Sequence, residues 1–191
     1  MTDLAGILLA AGRGRRFDPT GGRNKLLQRL PGGDPVVAAS ARTLLSVFPR
    51  TVAVVPPEDG GVAALLRDLG CEVTVCPDAD AGMGLSLAHA VRHAWPAAGW
   101  LVALGDMPYV QPATLRAIVA AIDHDNLVVP VHQGRPGHPR GIGGAYRERL
   151  LQFDGDRGAQ ALFARHAVQQ LEVDDPGVLQ DIDHPDDRRR C

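Results

Sequence analysis

Aromatic side chains are scarce in this sequence: Phe, Trp and Tyr make up 4% of its 191 residues. A core filled by rings is therefore disfavoured, and the interior must come from Ala, Val, Leu and Ile, within a hydrophobic fraction of 45%. Such residues suit helices packed on a Val/Leu-rich sheet. Cysteine is also sparse. Cys71, Cys76 and Cys191 are odd in number and lack metal-ligand spacing, so neither a disulfide framework nor a thiolate metal site is expected. Excess positive charge is missing too. Twenty Lys+Arg against 22 Asp+Glu give a formal net charge of −2, which leaves no global field for nucleic acid. No apolar run approaches the ~20 residues of a membrane helix, and Asp3 stands where a secretory leader would be basic. The expectation is a cytoplasmic protein with no nucleic-acid and no membrane partner. No internal repeat or low-complexity linker divides it, so residues 1–191 are read as one domain.

What is present is concentrated in residues 5–30. The apolar run Ile7-Leu8-Leu9-Ala10 is long enough for one buried strand. It breaks into Ala11-Gly12-Arg13-Gly14-Arg15-Arg16, then a second glycine pair, Gly21-Gly22, and then Lys25. Glycine lets the backbone N–H groups approach phosphate oxygens, and Arg and Lys neutralise their charge. A dinucleotide fingerprint would need a glycine where Phe17 stands. A Walker A loop would need Gly before Lys25 and Ser or Thr after it; Asn24 and Leu26 are there instead.

The remainder reads as alternating strands and helices. Asp34-Pro35 resembles a helix cap with Pro at the first helical position, opening a helix that Pro49 ends. Strands are expected at 51–55 and 72–75, with a helix over 62–69 between them. A helix over about 84–94 follows the loop Asp78-Ala79-Asp80-Ala81-Gly82-Met83, and its N-terminus would present free N–H groups. The apolar strand 100–104 ends in Gly105-Asp106-Met107-Pro108. Asp106 is thus expected at a strand's carboxyl end, where open α/β sheets bind ligands, as a metal or phosphate-site acid. A helix over 111–122 and a strand over 127–131 come next, then a hairpin-like excursion over 132–144 carrying Arg135, His138 and Arg140. Helices at 145–153 and 159–166 and a strand at 168–173 follow. A last short strand is expected at 178–182 and a final helix at 186–187. Asp181 and Asp183 flank Ile182, so in extended backbone both would face one side and could join Asp106 around a cation.

Together these segments resemble the MobA-like nucleotidyltransferase family. Residues 9–17, LAAGRGRRF, with Lys25, match its L-A-A-G-x-[GS]-x-R-[MF]…K signature, although residues 18–24 lengthen the loop before the lysine. The match extends through LGDMPYVQPATL to nearly the whole chain. GHP within GRPGHPRG, GDRGAQAL and the closing DIDHPDD resemble the molybdenum cofactor cytidylyltransferase branch. Related guanylyltransferases carry L-A-G-G where this chain has Leu9-Ala10-Ala11-Gly12, so the resemblance favours cytosine over guanine.

The resemblance implies a three-layer α/β/α, Rossmann-like fold with a mostly parallel sheet, an N-terminal nucleotide half and a C-terminal acceptor half. It implies transfer of CMP from CTP to the phosphate of a molybdopterin acceptor, with Mg²⁺, release of pyrophosphate, and onward delivery to a recipient molybdoenzyme. Leu9, Ala10, Ala11, Gly12, Arg13, Gly14, Gly82, Met83 and Ser86 would bind nucleotide. Arg16 and Lys25 would balance phosphate charge. Asp106, with Asp181 or Asp183, would hold the metal, and Arg135, His138 and Arg140 would meet the acceptor. Competing readings are a guanylyltransferase, another phosphorylated acceptor, a non-catalytic cofactor-binding chaperone, and a nicotinamide-dependent oxidoreductase, which Phe17 disfavours.

Overall fold

The protein is described by a computed structural model covering residues 3–12, 14, 16–18, 20, 22–155 and 158–189. Arg13 and Cys191, and the turn residues Asp156 and Arg157, lie outside the described residues. In chain order the first elements are β1 (Leu4–Leu9), α1 (Val36–Leu45), β2 (Thr51–Val55), α2 (Val62–Asp68) and β3 (Glu72–Val75). Then come α3 (Met83–His93), β4 (Gly99–Leu104), α4 (Pro112–Ala121) and β5 (Leu127–His132). The last are β6 (Arg135–Pro136), β7 (Arg140–Gly143), α5 (Arg147–Leu151), α6 (Gly158–Arg165) and β8 (Gln169–Glu172).

The strands form one sheet in the order β3-β2-β1-β4-β7-β5-β6, with β8 paired to β5. β1 is central and parallel to both β2 and β4. β7 runs antiparallel to β4 and to β5, while β8 is parallel to β5. Only β6 and β7 therefore run against the rest, and the sheet is mostly parallel.

β1, β2, β4 and β5 are largely buried on both faces because their residues alternate between two cores. Leu8, Ala53, Val55 and Leu101 point into a core filled by Leu44, Leu66 and Leu115 of α1, α2 and α4. Ile7, Val52, Val54, Trp100 and Val102 point into the other, with Leu87, Val91, Leu150 and Leu162 of α3, α5 and α6. The result is three layers. Each fully buried Leu or Ile contributes about 1.5–3 kcal/mol relative to leaving it exposed. No helix among the described residues is long and apolar enough to cross a membrane.

The excursion after β5 is a hairpin. Gln133 and Gly134 both take positive φ, 52° and 74°, as a two-residue hairpin turn requires. Its returning strand gains two residues between β6 and β7: Val131 pairs with Pro136, but Val128 pairs with Gly141.

Three local expectations shift. α1 begins at Val36 with Pro35 as its cap, and Asp34 pairs with Arg42 at 2.5 Å. The segment expected as helix over 145–153 is a 3₁₀ turn at Gly144–Tyr146 followed by α5. The last strand expected at 178–182 is absent. Pro176–Leu179 forms a 3₁₀ helix instead, because Asp175 caps it and its carboxylate takes the Gly177 N–H at 2.9 Å.

Candidate active site

A cleft of about 450 Å³ opens at the carboxyl ends of β1 and β4. It is lined by Leu9, Ala11, Gly12, Gly14, Arg16 and Lys25 from the first loop, by Gly82, Met83 and Ser86 at α3, and by Asp106 and Asp183. Asp80, on the same loop as Gly82 and Met83, lines it as well. Ala10 is buried and borders a neighbouring recess with Gly12, Asn24 and Asp80.

The first loop is shaped by its own side chains. Gly14 has φ 59°, and a Cβ there would lie 3.0 Å from Lys25 Cγ. Its carbonyl accepts from the N–H groups of Phe17 and Asp18. The longer segment before Lys25 is folded around Asp18, whose carboxylate accepts from the Thr20 N–H and hydroxyl and the Arg23 N–H. Those bonds, with Thr20 first, hold the Asp18 carboxyl below its ordinary pKa. Asn24 Oδ1 then accepts from the Leu26 N–H and caps the short 3₁₀ helix Lys25–Leu27. Lys25 is thereby fixed on a capped turn rather than on a loose loop.

Lys25 is 7% exposed, and its Nζ lies 2.6 Å from Asp106 Oδ2 and 3.2 Å from Asp183 Oδ1. Arg16 reaches Asp183 Oδ2 from the solvent side, at 2.5 Å. Burial alone would lower the Lys25 pKa, but the charge and hydrogen bond of Asp106, followed by those of Asp183, raise it above its ordinary value. For Asp183, burial pushes upward and is outweighed by Lys25 and then Arg16, so its carboxyl is held low.

Asp106 and Asp183 are far apart in sequence, and the C-terminal segment brings them together. The Ile182 N–H donates to the Asp106 carbonyl at 2.9 Å. Asp187 accepts from the N–H groups of Asp183 and His184 and so orients the Asp183 turn. Further back, the Asp175 carboxylate accepts from the Gln111 N–H, the Thr114 hydroxyl and the Gly177 N–H. It is 2% exposed and caps α4, whose own cap residue Gln111 supplies no side-chain bond. Asp181 is exposed and borders a separate recess with His184 and Asp187. Its carboxyl is raised by burial and by the charges of Asp183 and Asp106. Of the flanking pair it is Asp183 that faces Asp106 across Lys25. The two do not lie on a strand.

The N-terminus of α3 is partly occupied. The Gly84 N–H donates to the Gly155 carbonyl at 3.0 Å, and a Cβ on Gly84 would lie 2.4 Å from that oxygen. Only glycine allows this approach, which seats the loop after α5 beside the cleft.

Arg135, His138 and Arg140 do not line the cleft. Arg135 is exposed on β6. His138 turns to the α1 and α4 side, into a small recess with Ser40, Leu44, Met107 and Leu115. Burial, and secondarily the Arg140 charge, push its pKa down to about 4. Arg140 pairs with Val102 of β4 and so shares the face that carries Leu9 and α3. Its guanidinium lies 4.5 Å from the Phe163 ring centroid, and its Nε is buried with no hydrogen-bond partner among the described residues.

Asp106 and Asp183 converge on a single positive point and offer only oxygen donors, a set suited to a hard divalent cation. No group of three or more His, Cys, Asp or Glu that could hold a metal occurs among the described residues. A cation here would complete its shell with water and phosphate oxygens, as Mg²⁺ commonly does.

A glycine-rich cationic loop facing carboxylates at the strand ends of an open sheet defines an α/β protein built to handle nucleotide phosphates. The chain belongs to the MobA-like NTP transferase domain family, whose pattern matches residues 6–171. It is a nucleotidyltransferase by family and fold. Among solved structures, Rv0371c from Mycobacterium tuberculosis H37Rv shares 31% identity at TM-score 0.85, covering 99% of this chain and 96% of that one. A manganese complex of Rv0371c shares 30% identity at TM-score 0.79, covering 99% and 97%. A nucleotidyl transferase from Methanothermobacter thermautotroptrophicus, Mth528, shares 26% identity at TM-score 0.84, covering 98% and 95%. A search of curated proteins finds no match.

Proposed function

We propose that this nucleotidyltransferase moves CMP from CTP to the terminal phosphate of molybdopterin or its molybdenum form, with Mg²⁺, releasing pyrophosphate. The observation that carries this reading is the convergence of Lys25 and Arg16 with Asp106 and Asp183 in one cleft that Gly12 and Gly14 also line. In the reaction an acceptor phosphate oxygen forms a bond to the α-phosphorus, and the α–β anhydride bond breaks. No protein nucleophile is needed, so positioning and charge neutralisation supply the acceleration.

The backbone of residues 11–14 would cradle the triphosphate. Arg16, exposed at the cleft mouth, would balance charge on the leaving pyrophosphate, and Arg13, outside the described residues, is proposed to share that role. Lys25 would turn from the carboxylates to the α-phosphate as negative charge develops there. Asp106 and Asp183 would hold Mg²⁺, which when bound neutralises phosphate oxygens and favours in-line geometry. Gly82, Met83 and Ser86 would border the nucleoside, and the Ala11 methyl would narrow the base site toward cytosine. Of the three acceptor candidates, Arg140 lies on the cleft's face of the sheet and suits an anionic acceptor group; Arg135 and His138 face elsewhere.

The test is pyrophosphate release with Mg²⁺ and molybdopterin, with and without molybdate, using CTP, GTP and ATP in parallel. Release that requires both CTP and the pterin is expected. Release with GTP instead would overturn the base assignment. Binding of CTP with no release in any mixture would favour a different phosphorylated acceptor or a cofactor-carrying role.

A further inference from the structure

We infer that Lys25 is a built-in surrogate for the divalent cation, so that the nucleotide-free protein binds metal weakly and nucleotide and metal bind as a coupled pair. This rests on the reading of Asp106 and Asp183 as the metal carboxylates. Lys25 Nζ occupies the point between them, at 2.6 and 3.2 Å, and Arg16 holds the other oxygen of Asp183. Two carboxylates therefore face two side-chain cations, and the cluster is neutral without a metal. A divalent cation entering that cluster would displace the ammonium or sit against it.

The ammonium is held in this seat in the nucleotide-free protein. Its stem packs beside Gly14, and the capped 3₁₀ turn fixes its backbone. Nucleotide phosphates would offer another seat, because they accept from Lys25 and Arg16 and uncover the carboxylates. By linkage, metal bound to the carboxylates then frees Lys25 for phosphate and strengthens nucleotide binding by the same factor. The device keeps two acids paired in the resting site and commits the metal to the step in which phosphate charge must be neutralised.

The experiment measures Mn²⁺ affinity by electron paramagnetic resonance on the full-length protein without nucleotide. Wild type is compared with Lys25→Met, Lys25→Gln, Lys25→Arg and Asp106→Asn, each checked by circular dichroism. Removing the ammonium in Lys25→Met and Lys25→Gln should tighten Mn²⁺ binding at least tenfold. Lys25→Arg, which keeps a cation, should stay within about threefold of wild type, and Asp106→Asn should lose the site. Equal affinity in wild type, Lys25→Met and Lys25→Gln, with loss in Asp106→Asn, would overturn the surrogate role while leaving the metal reading intact. Unchanged binding in Asp106→Asn would overturn both.

Discussion

His138 offers the sharpest prediction of magnitude. Its side chain turns into the recess between α1 and α4, and its pKa falls from the ordinary 6.5 to about 4, chiefly through burial. The folded pKa lies below the unfolded one, so between these values the unfolded chain carries the extra proton. Stability therefore rises with pH across that window, is complete above about 6.5, and is lost as pH falls toward about 4. At 1.36 kcal/mol per unit, the full span corresponds to about 3 kcal/mol. The assay is urea unfolding of wild type and His138→Gln at about pH 7.5 and about pH 4.5. Wild type should lose about 2 to 3 kcal/mol more than the variant between the two conditions, whatever their absolute stabilities. Other acid-labile groups, such as Asp183 with its lowered carboxyl, cancel in the comparison. Equal losses in the two proteins would refute the assignment of a desolvated, neutral imidazole.

Other substitutions separate site chemistry from scaffold. Asp183→Asn should weaken Mn²⁺ binding at least tenfold while Asp181→Asn changes it less than about threefold; equal effects would restore Asp181 as a ligand. Asp175→Ala strands the Gln111 and Gly177 N–H groups and the Thr114 hydroxyl, and should cost about 3 kcal/mol in chemical unfolding. Gly84→Val places a side chain against the Gly155 carbonyl and should destabilise by about 1–3 kcal/mol, seen as a lower Tm.

The sequence carried most of this fold on its surface. Short apolar runs bounded by Gly and Pro marked β1, β2 and β4, because strands buried on both faces need no polar alternation. Helix ends were legible where glycine closes them, as at Gly70 after α2. The segment around Ile182 departs from its strand-like pattern for a physical reason. Alternating Asp-Ile-Asp has the spacing of an extended strand, but the Asp175 cap and the Asp187 carboxylate curl the chain into turns. Only the fold reveals which of the flanking acids meets Lys25.

In the first loop, glycines and cations signalled a phosphate site, whereas the function of the longer segment before Lys25 did not show. Asp18-x-Thr20 and Asn24-Lys25-Leu26 are both side-chain-to-backbone turn signatures, and together they explain how a lengthened loop still delivers its lysine. Arg135, His138 and Arg140 looked equivalent as ligand-capable residues on a hairpin. His138 lies outside the ladder, in the excess between β6 and β7, whereas Arg140 opens β7; that local break in alternation lets the two face opposite sides of the sheet, and composition does not reveal it.

The most direct test of the account follows the label from α-labelled CTP in the presence of molybdopterin and Mg²⁺, comparing wild type with Asp106→Ala. Label in a cytidylated pterin from wild type, and none from a folded Asp106→Ala variant, is the predicted result. A label that never leaves CTP in wild type, or an Asp106→Ala variant that transfers it at a near-normal rate, would contradict the account.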